Sequence, residues 1–368
     1  MKISTKVFTK LVNKAYKCST NTKEIPLTTL MCIKIYEGQL RIITSNDDGD
    51  YLYVISNDIS EDDVTSDFYV TVYAEPFVKL INKITSDTVT LSVNDGVLKV
   101  IGNGIYKLEL PFDENGGIIQ YPDPIRDKFH TGFESGKINL DLVKQVNLIN
   151  KPSLAKTDDL DEVQYNNYYV GDKVVSTDRY KLCSNDVKLF TFDSPALLSS
   201  GFMDLIEVMG DGECDAYKYD NELIFIADDC MVYGYIEDGI ENYDIDAINS
   251  LCNIVTDSVC KFYKSSLLET LDRLNLFVGT YDKNVIKLEF NAVGVKVSSL
   301  QTNATEVLEC VHSETNGDYE CMININVLME QIKASDTEII TIEYGNDKVI
   351  KLVSDDVIQV IALKLKQD

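Results

Sequence analysis

Three segments of the chain share one pattern at a fixed spacing, and this repeat limits the possible folds more than any other feature. The segments start at Phe77, Phe202 and Val327, so each begins 125 residues after the one before. Each opens with apolar residues at helical spacing, at i, i+3, i+4 and i+7 in the first two segments, and continues as alternating strands broken by a turn. Equal periods in three copies predict three related domains, over residues 1–125, 126–250 and 251–368.

A second helix and strand recur in each copy. The helical stretches cover residues 5–18, 140–150 and 266–277, and the last has Ser266 and Glu269 at the spacing of a capping box. Alternating strands ending in a Ser/Thr pair follow in "QLRIITSND", "DKVVSTDRY" and "GVKVSSLQT". Each domain therefore reads as helix, strands, helix, strands. This order predicts an α+β fold, with two helices packed on antiparallel sheet in each domain.

Positive charge is concentrated at the start of an acidic chain. The net charge is −26, yet the first 23 residues hold six lysines and no acid, so the remaining 345 residues carry a net charge of −32. Four of these lysines recur at i, i+4, i+8 and i+11 and form one face of the first helix. The other predicted helices add further basic residues. The helical set is Lys6, Lys10, Lys14, Lys17, Lys79, Lys83, Lys144, Lys264, Arg273 and Lys333.

Such a charge balance excludes a protein that grips DNA over its whole surface, because phosphate contacts require cations. One basic face on an otherwise acidic molecule instead allows nucleic acid to approach from a single side. The competing interpretation is that lysines simply solubilise exposed helix faces.

The sequence contains no motif typical of an enzyme, a metal-binding protein or a membrane protein. The two histidines, His130 and His312, have no second ligand at metal spacing, and no phosphate-binding loop or nucleophile elbow occurs. "NDDGD" lacks the final glutamate of a calcium loop and predicts a turn. We therefore expect no enzyme, no metal and no cofactor. No apolar run is long enough to span a bilayer, and the nine scattered cysteines predict reduced core thiols in a cytoplasmic protein.

The chain resembles the bacterial β sliding clamp, the processivity subunit of the replicative DNA polymerase. "VVSTDRYKL" (174–182) is similar to the family's central "VATDGHRL" stretch. "MKISTKVFTKLVNKA" followed by "IPLTTL" resembles the family's opening, and "GNGIYKLELPF" resembles the end of its first domain. Length and three-domain layout agree throughout, while the degenerate motifs are typical of a distant member, such as one encoded by a phage.

The resemblance implies a head-to-tail homodimer ring of six domains around double-stranded DNA, with the helices lining the hole. It implies a replicative polymerase and a separate clamp-loader ATPase as partners, and no membrane. Lys23, Lys151 and Lys156 match loop positions that face DNA in the family. Ring closure would bring an edge strand with Tyr106 and Leu108 against Leu276 and Phe277 of the partner chain.

The resemblance also implies an apolar pocket for a short partner peptide between the second and third domains. The family's Gly-His is Arg179-Tyr180 in this chain, so the resemblance does not carry over the family's peptide preference. The implied pocket residues are Leu160, Thr177, Arg179, Tyr180, Lys181, Leu182, Ile361, Leu363 and Leu365.

Two other functions remain open at this point. The ring could serve as a mobile tether for transcription or repair proteins, with different partner peptides. Alternatively, the chain could be a protein-interaction scaffold that keeps the clamp fold without encircling DNA. The scaffold predicts a monomer in which the lysines of the first helix have no effect.

Overall fold

A computed structural model describes residues 1–20, 26–59, 67–125, 134–156, 163–192, 194–279 and 284–364. Three of the residues predicted above to be functional, Lys23, Leu160 and Leu365, lie outside these ranges.

The six helices that the repeat predicts are all present. The α-helices among the described residues are α1 Thr5–Tyr16, α2 Ala74–Ile81, α3 Leu140–Asn150, α4 Val163–Asn166, α5 Ser200–Val208, α6 Ile245–Cys252, α7 Lys264–Asn275 and α8 Ile325–Ala334. The predicted capping box is wrong, because α7 begins two residues earlier, after Tyr263, and has no side-chain cap.

The described residues divide into two compact units, residues 1–143 with 201–236 and residues 144–200 with 237–368. The first unit contains a four-stranded and an eight-stranded antiparallel sheet. The small sheet has the order β1 Lys2–Ser4, β6 Thr88–Asn94, β7 Val97–Ile101, β8 Ile105–Glu109. The large sheet has the order β5 Tyr69–Tyr73, β2 Leu30–Tyr36, β3 Gln39–Ser45, β4 Tyr51–Ser56, β16 Cys230–Tyr235, β15 Glu222–Ala227, β14 Glu213–Tyr219, β9 Glu134–Asn139.

The second unit contains a nine-stranded and a four-stranded antiparallel sheet. The large sheet has the order β13 Ala196–Ser199, β10 Asn167–Val170, β11 Val174–Thr177, β12 Lys181–Asn185, β25 Val357–Ala362, β24 Val349–Val353, β23 Ile339–Tyr344, β17 Ser258–Tyr263, β21 His312–Glu314. The small sheet has the order β20 Thr305–Glu309, β19 Gly294–Ser299, β18 Val285–Phe290, β22 Tyr319–Asn324.

Local sequence explains these elements. Between β6 and β7, Asp95 and Gly96 both have positive φ, at +50° and +74°, as a two-residue hairpin turn requires. On α1, apolar residues at helical spacing pack against α2 and strands β3 and β4, and Phe8 meets Phe77 edge-on at 6.1 Å between ring centres. The predicted α+β class with antiparallel sheets is therefore confirmed.

The large sheets cross the predicted domain boundaries. Strand β4 pairs with β16 in the first unit, and β12 pairs with β25 in the second. Each pairing joins strands from two copies of the repeat, so the compact units do not coincide with the copies. The boundaries near residues 125 and 250 stay a prediction from the repeat.

Candidate nucleic-acid and protein interfaces

Helix α1 has one buried face and one basic face. Phe8, Leu11, Val12 and Ala15 are buried in the core of the first unit. The opposite face carries lysines that are exposed and form no ion pair or hydrogen bond with another described residue, namely Lys6, Lys10 and Lys17. Lys17 lies just beyond the last helical residue, as the C-cap.

Lys14 differs from its neighbours because it is held by an acid. Its Nζ donates to Asp229 Oδ1 at 2.8 Å and to the Met209 carbonyl at 3.1 Å. Burial is the largest single influence on each pKa and opposes the charge on both side chains, but their hydrogen bond and the attraction of neighbouring groups together outweigh burial. The pKa of Lys14 is raised and the pKa of Asp229 is lowered. Lys14 therefore offers less positive charge to a ligand than Lys6 or Lys10 does.

We expect Asp229→Ala to lower the free energy of unfolding by about 0.5–1 kcal/mol at pH 7, since the carboxylate is half exposed and solvent screens the pair. An acid with a lowered pKa in the folded state stabilises above its unfolded pKa, near 4, and loses that effect as pH falls through the folded value. The difference should therefore shrink as the pH is lowered below the unfolded pKa. Urea unfolding over a pH series from neutral to acid measures it.

Asp228→Ala is the matched control, because Asp228 is exposed, changes the net charge equally and has no partner among the described residues. An equal loss in both variants, or a loss that persists in acid, would contradict a specific Lys14–Asp229 pair.

Some of the remaining predicted DNA-facing residues already pair with other side chains or with carbonyls, and others do not. Lys79 pairs with Glu75, Lys156 lies 3.8 Å from Glu330, and Arg273 holds Glu306 through two nitrogens. Lys264 donates to the carbonyls of Lys333 and Ser335. Lys144 is half-buried and Lys151 is exposed, and each has an interaction partner. Lys83 and Lys333 are exposed, and their side chains have no partner among the described residues.

Two edge strands have one side without a neighbouring strand among the described residues, and they carry exposed apolar side chains. Strand β8 is the last strand of the small sheet in the first unit, and Ile105 on it is 63% exposed. Strand β20 is the last strand of the small sheet in the second unit, and Val307 on it is 64% exposed. An unpaired edge with exposed apolar side chains is a template for another strand.

The predicted contact residues lie at these edges. Tyr106 is 36% exposed and Leu108 is half-buried, both on β8. Leu276 and Phe277 directly follow α7 and are 82% and 50% exposed. Sequence reasoning missed Ile105 and Val307, although the alternation of the two strands could have indicated them.

The nine-stranded sheet carries an apolar cluster on the face covered by α6, which we call the pocket face. Val175, Leu182 and Val360 from three neighbouring strands pack there against Tyr243 and Ile248. Tyr243 stacks on Tyr169 with ring centres 4.9 Å apart. The opposite face of the same sheet packs on α7 and α8, and we call it the helix face.

The strand register separates the predicted pocket residues. Thr177 pairs with Leu182, and Leu182 pairs with Val360, so these three share the pocket face. Lys181 pairs with Ile361, and both belong to the helix face, because side chains alternate along a strand. Leu363 also packs on the helix-face core. On the pocket face, strand β25 therefore places Val360 and Ala362, and not the predicted Ile361 and Leu363.

A hydrogen-bonded turn, residues 178–180, connects β11 to β12 at the end of the pocket face. Asp178 Oδ1 accepts from the backbone nitrogens of Tyr180 and Lys181 at 2.9 and 2.8 Å. The Thr177 hydroxyl accepts from the Arg179 nitrogen and donates to the Lys181 carbonyl. Lys181 is buried and pairs with Asp178 and Glu330 at 3.6 and 3.5 Å. These hydrogen bonds hold the backbone of Arg179 and Tyr180 in place.

The motifs and cysteines considered in the sequence analysis can be located among the described residues. None of their histidines, cysteines and acids form a group of three that could hold a metal ion. All nine cysteines are free thiols and eight of them are buried, which confirms the predicted core thiols. "NDDGD" forms the predicted turn, between β3 and β4. No described helix is both long enough and apolar enough to cross a membrane.

The architecture described above is the fold of DNA polymerase sliding clamps. The chain is similar to the sliding clamp of Bacillus subtilis, with a TM-score of 0.84 and 15% identity over 100% of this chain and 99% of that one. The DNA polymerase III beta chain of Streptococcus pneumoniae also has a TM-score of 0.84, with 17% identity over 99% of both chains. The DNA polymerase III beta subunit of Borrelia burgdorferi, solved in complex with a natural product, also has a TM-score of 0.84. Its sequence is 15% identical, over 100% of this chain and 99% of that one. No protein-family model and no curated protein matches the sequence.

Proposed function

We propose that this protein is a DNA sliding clamp, a polymerase processivity factor that encircles duplex DNA without reading its sequence. The observation that carries the proposal is the correspondence of the whole chain, from end to end, to DNA polymerase III beta chains. The three-fold repeat supports it, because two chains would supply the six domains of a closed ring. Such a clamp is not an enzyme, and a separate loader ATPase would open it.

The charge distribution supports encirclement. Exposed lysines on α1 would face the hole and attract phosphates through water, while the acidic remainder would repel DNA from the outer wall. Weak contacts without base readout would let the ring slide. Lys6, Lys10 and Lys17 would contribute most, since Lys14 and Arg273 are already paired with acids.

The two unpaired sheet edges support closure as a homodimer. Strand β8 of one chain would pair with β20 of the other, in a head-to-tail contact repeated twice in the ring. Leu276, Phe277 and Val307 would then be covered by Ile105 and Tyr106 of the other chain. Pairing removes both exposed edges at once.

The pocket face supports tethering of a partner. A leucine or aromatic anchor from the polymerase would bind beside Leu182, Val360 and Ile248, where burial of one large side chain supplies most of the affinity. The clamp would work in the cytoplasm of a bacterial cell or of a phage-infected host, where replicating DNA lies.

Topological retention on DNA tests the proposal. Protomers separated by dilution are concentrated together with a circular plasmid, washed at high salt, and then treated with a nuclease that cuts the plasmid once. A clamp stays on the closed circle through the wash and is released when the circle is cut. Retention that is equal on circular and pre-cut plasmid, or absent on both, would contradict encirclement.

A further inference from the structure

A small cavity lies on the helix face of the nine-stranded sheet, at the end where β23, β24 and β25 meet. Its volume is about 10 Å³. Ile340, Leu352 and Gln359 form its sheet side, and the facing wall consists of Ile149 of α3 and residues 335–337, which follow α8. The cavity therefore lies where the first helix of the second repeat meets the sheet of the third repeat.

Gln359 is a polar residue in an otherwise apolar row across this sheet. The strand register places it between Leu352 of β24 and Cys183 of β12, both of which are buried. Gln359 is itself 2% exposed, and its Nε2 has no hydrogen-bond partner among the described residues. A buried amide donor without a partner is costly, so Gln359 requires an acceptor atom that can enter the cavity beside it.

Hydroxyl groups also line the cavity. Ser354 directly follows β24, and its hydroxyl forms no hydrogen bond with another residue in the described part of the chain. The hydroxyls of Ser335 and Thr337 hydrogen-bond to each other at 2.9 Å, and Thr337 also donates to the Ile339 carbonyl at 3.0 Å. A hydroxyl oxygen has two lone pairs, so these oxygens can accept further hydrogen bonds.

The size and polarity of the cavity determine what can occupy it. A volume near 10 Å³ corresponds to about one water molecule. The Asp336 carboxylate lines the cavity and disfavours an anion, while the Gln359 amide donor disfavours a cation. Water is small and neutral, and it both accepts and donates hydrogen bonds, as the amide and the hydroxyls together require.

A direct hydrogen bond between α3 and the loop after α8 lies beside the cavity. Gln145 Nε2 of α3 donates to Asp336 Oδ2 at 2.7 Å. Ile149, one turn further along α3, and Asp336 both line the cavity. A water molecule bound there would add a link from the same loop to the sheet.

We propose that this cavity is a hydration site in which one ordered water molecule accepts a hydrogen bond from Gln359 Nε2 and donates to the hydroxyl oxygens of the wall. The water connects β25 to the loop after α8, at the place where α3 packs. Gln359 thus acts as a ligand of a structural water in a row that otherwise takes apolar residues. This inference does not depend on the proposed function.

High-resolution crystal structures of the full chain and of its Gln359→Met variant test the hydration site. Methionine is similar in length and has no donor. We expect electron density for a water about 2.7–3.2 Å from Gln359 Nε2 in the unmodified protein, and none at this place in the variant. The thermal midpoint of the variant should hardly change, because an apolar side chain removes the buried donor together with its partner.

The matched control is Gln331→Met on α8. Gln331 is also buried, and its Nε2 likewise has no partner among the described residues, but it does not line the cavity. The water beside Gln359 should therefore remain in this variant. Its thermal midpoint should fall, because Gln331 Oε1 accepts from the Ser153 hydroxyl at 3.1 Å.

Magnetic relaxation dispersion of solvent nuclei, which counts long-lived bound waters in solution, gives a second readout that needs no crystals. The Gln359→Met protein should hold one such water fewer than the Gln331→Met protein. Equal counts in the two variants would overturn the inference. So would a crystal structure of the unmodified protein without density beside Gln359 Nε2, or density that persists in the Gln359→Met variant.

Discussion

The double variant Leu276→Lys with Val307→Lys should migrate as a monomer of 41.4 kDa at concentrations where the unmodified protein has twice that mass. Both side chains are largely exposed in the single chain, at 82% and 64%, and would be buried only by a second chain. Each loses about 2 kcal/mol of apolar burial, before any cost of burying a lysine. Two such losses weaken each interface about 10³-fold.

Light scattering on a size-exclusion column across a dilution series measures this effect. The control replaces Leu251 and Val255 by lysine, because both are exposed apolar residues that lie on neither sheet edge. Circular dichroism should show both variants folded, since the substituted side chains make few contacts in the protomer. A doubled mass in the Leu276 and Val307 variant would mean that the chains do not meet at β20.

Charge reversal of Lys6, Lys10 and Lys17 to glutamate should weaken binding to duplex DNA about 100-fold at low salt. The physical reason is the loss of three phosphate contacts per chain, which also lowers the slope of log K against log salt by up to about 3 for each chain that contacts the duplex. These side chains face away from the core, so the thermal midpoint should hardly change. Anisotropy of a labelled duplex across a salt series gives both numbers.

Lys99, Lys188 and Lys296 provide a charge-matched control, because none of them lies on a helix. Their reversal to glutamate should leave the salt slope near that of the unmodified protein. An equal loss in the two triple variants would mean that net charge alone governs DNA binding. No loss in the α1 variant would support the scaffold interpretation instead.

Periodicity predicted six of the eight described helices, because each of those six has apolar residues at the helical period. The interval of 125 residues and the three-domain layout came from the same patterns. Strand pairing between repeats was not predictable in this way, since nothing in the alternation of β4 specifies β16 as its neighbour. Partner choice in a sheet depends on tertiary packing rather than on local sequence.

Site residues were predictable only as far as their local context determined them. The face of α1 follows from helical spacing, so Lys6 and Lys10 were assigned correctly to an exposed face. Pairing of Lys14 with Asp229 joins residues 215 positions apart and has no local signal. Ile361 was predicted to lie on the same face as Leu182, whereas the register places Val360 there. An alignment that is wrong by one residue has this effect, because adjacent residues of a strand point to opposite faces.

The pairing of β4 with β16, and of β12 with β25, has a consequence for how the chain can be divided. The repeat copies have the appearance of modules, but cutting the chain near residue 125 or 250 would strip a neighbour from a central strand and leave a long bare edge. Such edges aggregate. A single repeat is thus a unit of sequence pattern rather than of cooperative folding, and a fragment that ends where the sequence repeat ends would be a poor candidate for independent expression.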